Sequence, residues 1–132
     1  MGDSVDELLA AARTAAEQAY SPYSKIRVGA ALLAEDGRVF HGCNVENASY
    51  GLTLCAERAA AVAAVTAGAR AFRTIAIWTS LGRSLPPCGA CRQFLAEFAP
   101  DLRVVVGSDS GDRIDASLRE LLPNAMGPSD LD

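Results

Sequence analysis

Residues 55–67, Cys-Ala-Glu-Arg-Ala-Ala-Ala-Val-Ala-Ala-Val-Thr-Ala, constrain the fold more than any other stretch of the chain. Alanine is the strongest helix former, and beyond Glu57 and Arg58 the segment offers a helix apolar surface on nearly every side. A helix of that kind belongs in an interior, and its short side chains let neighbouring backbones approach closely. The rest of the chain alternates around it. Ser4-x-x-Glu7 reads as a capping box opening a helix, with Val5, Leu8, Leu9, Ala12 and Ala16 at helical spacing. That helix is expected to end near Tyr20-Ser21-Pro22, because a proline disfavours helical geometry in the residue before it.

Val28 to Leu33 and Arg38 to Val45 read as two strands, joined through Glu35-Asp36-Gly37, whose Asp-Gly pair is a hairpin signal. Beyond the alanine-rich helix, Ile75 to Trp78 reads as a buried strand. Pro86-Pro87 introduces a further helix from about Cys88, with Phe94, Leu95 and Phe98 on one face and Pro100 as its stop. Trp78, Phe94 and Phe98 are expected in the core. Arg103 to Val106 reads as another strand, and Ser117-x-x-Glu120 as a second capping box, opening a short helix that stops at Pro123. The order α-β-β-α-β-α-β-α predicts an α/β protein of one domain, residues 1–132. Its architecture should be a three-layer α/β/α sandwich with a mixed central sheet and helices on both faces.

The formal charge of −4 disfavours a phosphate backbone as partner, and no basic run with interleaved aromatics is present, so no nucleic-acid substrate is expected. Met1-Gly2-Asp3-Ser4 has neither the positive region nor the apolar region of a secretory leader, and no apolar stretch approaches the length of a membrane span. The expected location is the cytoplasm, with no membrane partner. Two disulfides from Cys43, Cys55, Cys88 and Cys91 are a poor reading in that setting.

Their spacing speaks for a metal. Cys88 and Cys91, three apart at a helix start, can face one point. Cys55 and Glu57, two apart, would diverge within a regular helix, and converge only if Cys55 stands at the helix N-terminus. Three thiolates hold zinc tetrahedrally and leave the fourth position for water, the arrangement of a catalytic site. A structural zinc site would want a fourth Cys or His, and the spare candidates, His41 and Cys43, lie together on a strand. His41 reads as a strand or surface residue and Cys43 as an inert buried thiol. Zinc with three thiolates carries a net −1 charge, which opposes ionisation of bound water. Two helix N-termini and the guanidinium of Arg58 would offset part of it. Glu57, a carboxylate that need not bind the metal, could then move protons between water and substrate.

Cys55-Ala56-Glu57 followed by Pro87-Cys88-Gly89-Ala90-Cys91 matches the zinc-deaminase signature H-x-E…P-C-x-x-C in its form with Cys in place of His. Together with Tyr23-Ser24, Val28-Gly29-Ala30-Ala31, Gly42 to Gly51, Arg92-Gln93 and Glu120-Leu121-Leu122-Pro123, the chain resembles the small zinc-dependent cytidine deaminases over nearly its whole length. The resemblance implies hydrolysis of the 4-amino group of cytidine and deoxycytidine by water activated on one zinc per chain, in pyrimidine salvage. It implies Cys55, Cys88 and Cys91 as zinc ligands and Glu57 as proton shuttle. Arg58 would bond the ligand sulfurs, Asn44 and Glu46 the ribose hydroxyls, and Ala56 would lie in the substrate pocket. It also implies a homotetramer whose active sites are completed by neighbouring subunits.

Asn44 and Glu46, two apart on the second strand, are expected to share a face. Tyr50 stays open between packing, an interface and the site. Two positions depart from the family pattern: Ile26 and Met126 stand where phenylalanines usually flank the pyrimidine, Met126 reaching it across a subunit boundary. They bear on nucleobase preference and leave the zinc chemistry untouched. They also leave room for an alternative, a deaminase of a modified or antibiotic cytosine nucleoside of the blasticidin S type, whereas Asn44-Val45-Glu46-Asn47 favours cytidine. A non-catalytic zinc-binding protein would have no need of Glu57.

Overall fold

The structure, a computed structural model, describes residues 4–131, so the opening Met1-Gly2-Asp3 of the leader argument lies outside the described residues. Helix α1 (Val5–Ala16) begins at Ser4, whose hydroxyl accepts the Glu7 N–H while the Glu7 carboxylate reaches back, as the capping box predicts. It ends four residues before Tyr20. The N–H groups of Glu17, Gln18 and Ala19 fold back onto the carbonyls three positions earlier, which tightens and terminates the last turn. The Tyr20 N–H goes instead to the carbonyl of Asn44.

Five strands form one sheet in the order β2-β1-β3-β4-β5. Strands β1 (Val28–Ala34) and β2 (Val39–Cys43) are the expected hairpin, with Gly37 supplying a φ of +95° in its turn. Strand β1 also runs antiparallel to β3 (Phe72–Thr79), β3 is parallel to β4 (Arg103–Ser108), and β4 pairs antiparallel with β5 (Arg113–Ser117). The sheet is therefore mixed. Strand β5 was not anticipated: in Arg-Ile-Asp-Ala-Ser only Ile114 and Ala116 give the inward alternation, and at a sheet edge polar residues can occupy the rest.

Period-two alternation sends the strands' side chains to two cores. Ala31, Leu33, Ala76 and Val105 meet Leu8, Leu9 and Ala12 of α1 on one face. Ala30, Leu32, Ile75, Ile77, Val104 and Val106 meet α2 (Ala56–Thr66), α3 (Gly89–Ala96) and α4 (Leu118–Leu121) on the other. This is the expected three-layer sandwich. Phe94 and Phe98 pack against the second core. Trp78 is only half-buried beside the first, with the Arg13 guanidinium 5.5 Å over its ring.

Close approach is built in where the reading of the alanines placed it. A Cβ on Gly42 would lie 2.5 Å from both the Ala56 carbonyl oxygen and the Ala60 nitrogen, so β2 touches the backbone of α2. One expectation for α2 fails. Only Ala56, Glu57, Ala60, Ala61 and Ala64 are buried, and Val62 remains 52% exposed on the outer face. A sheet can cover only one side of a helix, whatever the composition of the other. Among the described residues, no helix is long and apolar enough to cross a membrane.

Candidate active site

The cysteines sit where the backbone changes state. Cys55 is the N-cap of α2 and Cys88 the N-cap of α3, both in extended geometry, and Cys91 lies one turn into α3. Neither N-cap sulfur makes a capping hydrogen bond. Instead the three sulfurs converge within 4.8 Å of one another, with Cys55 to Cys88 at 3.9 Å and Cys88 to Cys91 at 3.4 Å. Tetrahedral zinc–sulfur bonds of about 2.3 Å require sulfur–sulfur edges of roughly 3.8 Å, so the spacing fits that ion. His41, exposed on β2, and the half-buried Cys43 do not join the cluster.

The electrostatics give a second fit. The Cys91 thiol donating to Cys55, with help from the Arg58 guanidinium, pulls the Cys55 thiol down to about 5. The Arg58 terminal nitrogen is 3.5 Å from the Cys55 sulfur. Donating to that thiolate while itself buried, Cys91 is pushed strongly the other way. One thiolate is thus cheap and further ones are costly, unless a cation lies among them. Arg58 also leaves its buried Nε without a partner, an orphan donor beside an anionic cluster.

Glu57, in the first turn of α2, is 6% exposed. Burial pushes its carboxyl up to about 7, and the charge on Cys55 adds to the effect. Glu57 lines a cavity of about 240 Å³ with Cys55, Ala56, Asn44 and Ile26, so one hollow collects half of the candidate residues. Sequence reasoning overlooked other walls of this hollow: Thr53-Leu54, directly before Cys55, and Leu85-Pro86, directly before Pro87-Cys88. Their adjacency to two ligands was the available signal.

Asn44 and Glu46 do not share one strand face as expected, because β2 ends at Cys43. Asn44 is buried, and its side chain binds the backbone of residues 26 and 28. Its Oδ1 accepts the Val28 N–H at 2.9 Å and its Nδ2 donates to the Ile26 carbonyl at 2.9 Å, leaving one amide hydrogen uncommitted. Glu46 lines an adjoining hollow with Tyr23, Ser24, Tyr50 and Thr53. Its carboxylate accepts the N–H groups of Tyr23 and Ser24 and the Ser24 hydroxyl. The hydroxyl bond leads in holding the Glu46 carboxyl below its ordinary value. Ser24 and Thr53 border both hollows.

Met126 is not brought into this site within one chain. It lies 56% exposed along a separate groove of about 480 Å³ between α4, the end of α3 and the C-terminal segment, its carbonyl bonded by Gln93 Nε2 at 2.9 Å. Tyr50 lines the Glu46 hollow, 74% exposed, its ring 5.7 Å from that of Tyr23.

Residues 3–108 match the family model described as the cytidine and deoxycytidylate deaminase zinc-binding region. The chain is 47% identical over 128 residues to a cytidine deaminase of Sporosarcina psychrophila, covering 96% of this chain and 94% of that one. It is 49% identical over 125 residues to a cytidine deaminase of Halalkalibacterium halodurans, covering 94% and 95%. A crystal structure of cytidine deaminase from Burkholderia pseudomallei is similar with a TM-score of 0.89 at 49% identity, covering 93% of this chain and 99% of that chain.

Proposed function

The chain belongs to the cytidine and deoxycytidylate deaminase zinc-binding family, whose members are zinc-dependent hydrolases, and on that premise we propose that it converts cytidine and deoxycytidine to uridine and deoxyuridine with release of ammonia. One observation carries the reading: a buried carboxyl, Glu57, lines the same small hollow as Cys55, one of the three sulfurs of a zinc-competent cluster.

Cys55, Cys88 and Cys91 hold the zinc, which when bound supplies Lewis-acid activation of the attacking water. Proton movement belongs to Glu57. It takes a proton from the water as oxygen bonds to C4, delivers it to N3, and then carries the second proton to the departing amine. Burial raises the proton affinity of its carboxyl above the ordinary carboxylate range, which favours uptake of the proton from water. Arg58 spreads the charge of the ligand sulfurs. Ile26 and Ala56 form walls for the nucleobase. Met126 completes the nucleobase site of a neighbouring subunit.

The sugar falls to Asn44 and Glu46. Glu46 is pinned by three donors from residues 23 and 24, so a ribose diol meets an acceptor that needs no further ordering. Sugar binding in turn positions the ring over the reacting centre. The names of the relatives favour cytidine over an antibiotic nucleoside.

Residues 1–132 act as one deaminase domain in a cytoplasmic pyrimidine salvage enzyme, a homotetramer. Supporting self-association, Tyr20, Tyr23, Val45, Tyr50, Leu52 and Leu54 are 42–74% exposed, and Tyr23, Tyr50 and Leu54 line the two hollows. Exposed apolar clusters of this kind usually mark an interface. Ammonia release from a panel of cytidine, deoxycytidine, cytosine and blasticidin S tests the substrate, with cytidine and deoxycytidine expected to react fastest. Light scattering tests the assembly, and a fully active monomer would refute it.

A further inference from the structure

The segment between β3 and α3, residues 80–88, delivers both a ligand and a cavity wall. It is held at its start by reciprocal bonds between Arg27 and Ser80, and at its end by Arg92, whose Nε donates to the Pro87 carbonyl at 2.8 Å. Leu85 and Pro86, which line the hollow with Glu57, sit between these anchors. Pro86 and Pro87 have no N–H to offer. Among the described residues, no hydrogen bond holds Leu85 or Pro86 directly.

Their neighbour Ser84 is 7% exposed and clasped from outside the site. Its N–H donates to Asp112 Oδ2 at 2.8 Å, and its hydroxyl lies 2.7 Å from the Asp112 carbonyl oxygen. Asp112 belongs to the turn between β4 and β5, and its own N–H is held by the Ser110 hydroxyl at 3.2 Å. Gly111 shapes that turn with a φ of +83°. The Ser84 hydroxyl also lies 3.2 Å from the Val106 carbonyl oxygen of β4, so among the described residues a hairpin carrying none of the proposed catalytic or ligand residues grips the site segment at mid-length.

We infer that Asp112 is a positioning residue for the nucleobase, acting through Ser84 to fix Leu85 and Pro86 as a wall of the substrate hollow. The inference rests on the deaminase reading. Its consequence is selective, because Cys88 and Cys91 are anchored separately through Arg92 and α3 while Leu85-Pro86 depends on the clasp.

The test compares Asp112→Ala, which loses the side-chain acceptor, with Asp112→Asn, which keeps an oxygen facing the Ser84 N–H. Losing one such hydrogen bond should raise KM for cytidine about five- to tenfold in Asp112→Ala, with kcat within about twofold. Zinc should stay at one per chain, and Asp112→Asn should lie near the parent. Amide exchange in peptides spanning residues 79–92 should quicken in Asp112→Ala and not in Asp112→Asn. Should Asp112→Ala fail to fold, Ser84→Ala removes the hydroxyl arm and should raise KM in the same direction. Unchanged KM and exchange in the alanine variant, an equal defect in Asp112→Asn, or a loss confined to kcat with loss of zinc would each overturn the inference. The exchange measurement stands whatever the substrate, so a parent protein inert towards cytidine would sink the deaminase reading and leave the clasp to be judged separately.

Discussion

Helices α1 and α4 begin at Ser4 and Ser117, both closed by capping boxes, whereas α2 and α3 begin at Cys55 and Cys88, whose side chains cap nothing. The backbone geometry of all four N-caps is the same extended conformation. The difference lies in what the side chain is aimed at. A serine satisfies its own helix and contributes about 1 kcal/mol to stability. A cysteine at the same position leaves the first-turn N–H groups uncapped by its side chain and turns its sulfur, together with the positive end of the helix, toward a shared point. Two helices in this protein are finished locally, and two are finished only by what binds between them.

The largest expected effect separates the chemistry from the fold. Glu57→Gln should keep zinc and structure yet lower kcat by about 10²–10⁴-fold or more, since an amide cannot carry protons. Elemental analysis beside ammonia release checks both halves, and a variant with near-parental kcat would remove Glu57 from the mechanism.

Next in size is a pH effect on the metal-free protein. With its carboxyl raised from about 4.5 to about 7, native Glu57 keeps a proton that the unfolded chain has already released. Its favourable contribution is complete below about pH 4.5 and disappears as the pH rises through about 7. Relative to Glu57→Gln, the chelated parent should therefore lose up to about 3 kcal/mol across that window. The lowered thiol of Cys55 works in the opposite sense in both proteins and largely cancels in the difference. Denaturant titrations at several pH values give the comparison, and parallel pH dependences would contradict it.

The contrast between caps can also be attacked directly. Cys88→Ser should forfeit most of the zinc while stabilising the metal-free fold by about 0.5–1 kcal/mol, because serine can cap α3 where cysteine does not. Full zinc retention would break the ligand assignment, and a less stable metal-free fold would break the capping argument. Ser4→Ala should cost about 1 kcal/mol in thermal or denaturant unfolding and leave kcat and KM unchanged. A kinetic defect there would mean that α1 is not independent of the site.

The zinc cluster was legible because its logic is local. A C-x-x-C at a helix start turns two sulfurs to one point and a cysteine heading the alanine-rich helix offers a third, with Glu57 two residues on, although only the packing of α2 beside α3 brings the two helix starts together. The capping boxes and the Asp36-Gly37 turn were legible for the same reason. Strand β5 was hidden because Arg113-Ile-Asp-Ala-Ser117 acquires its strand character from pairing with β4, not from its own pattern. Asn44 and Glu46 were placed on one face by strand periodicity, but β2 stops at Cys43, and the hydrogen bonds that reorient them come from residues about twenty positions away.

By itself the sequence determined the alternation of elements, both capping boxes, the zinc-competent residues, and a family resemblance that the relatives uphold. All of these depend on neighbours within a turn or two, or on motifs that survive as strings. Only the tertiary structure decided that Leu85 and Pro86 line the cavity, and that an exposed turn through Asp112 holds their segment. It also decided that Met126 lies on a different groove within one chain, and that α2 leaves Val62 exposed. Those outcomes follow from how the sheet orders its strands and which faces it can cover, and no single segment carries that information.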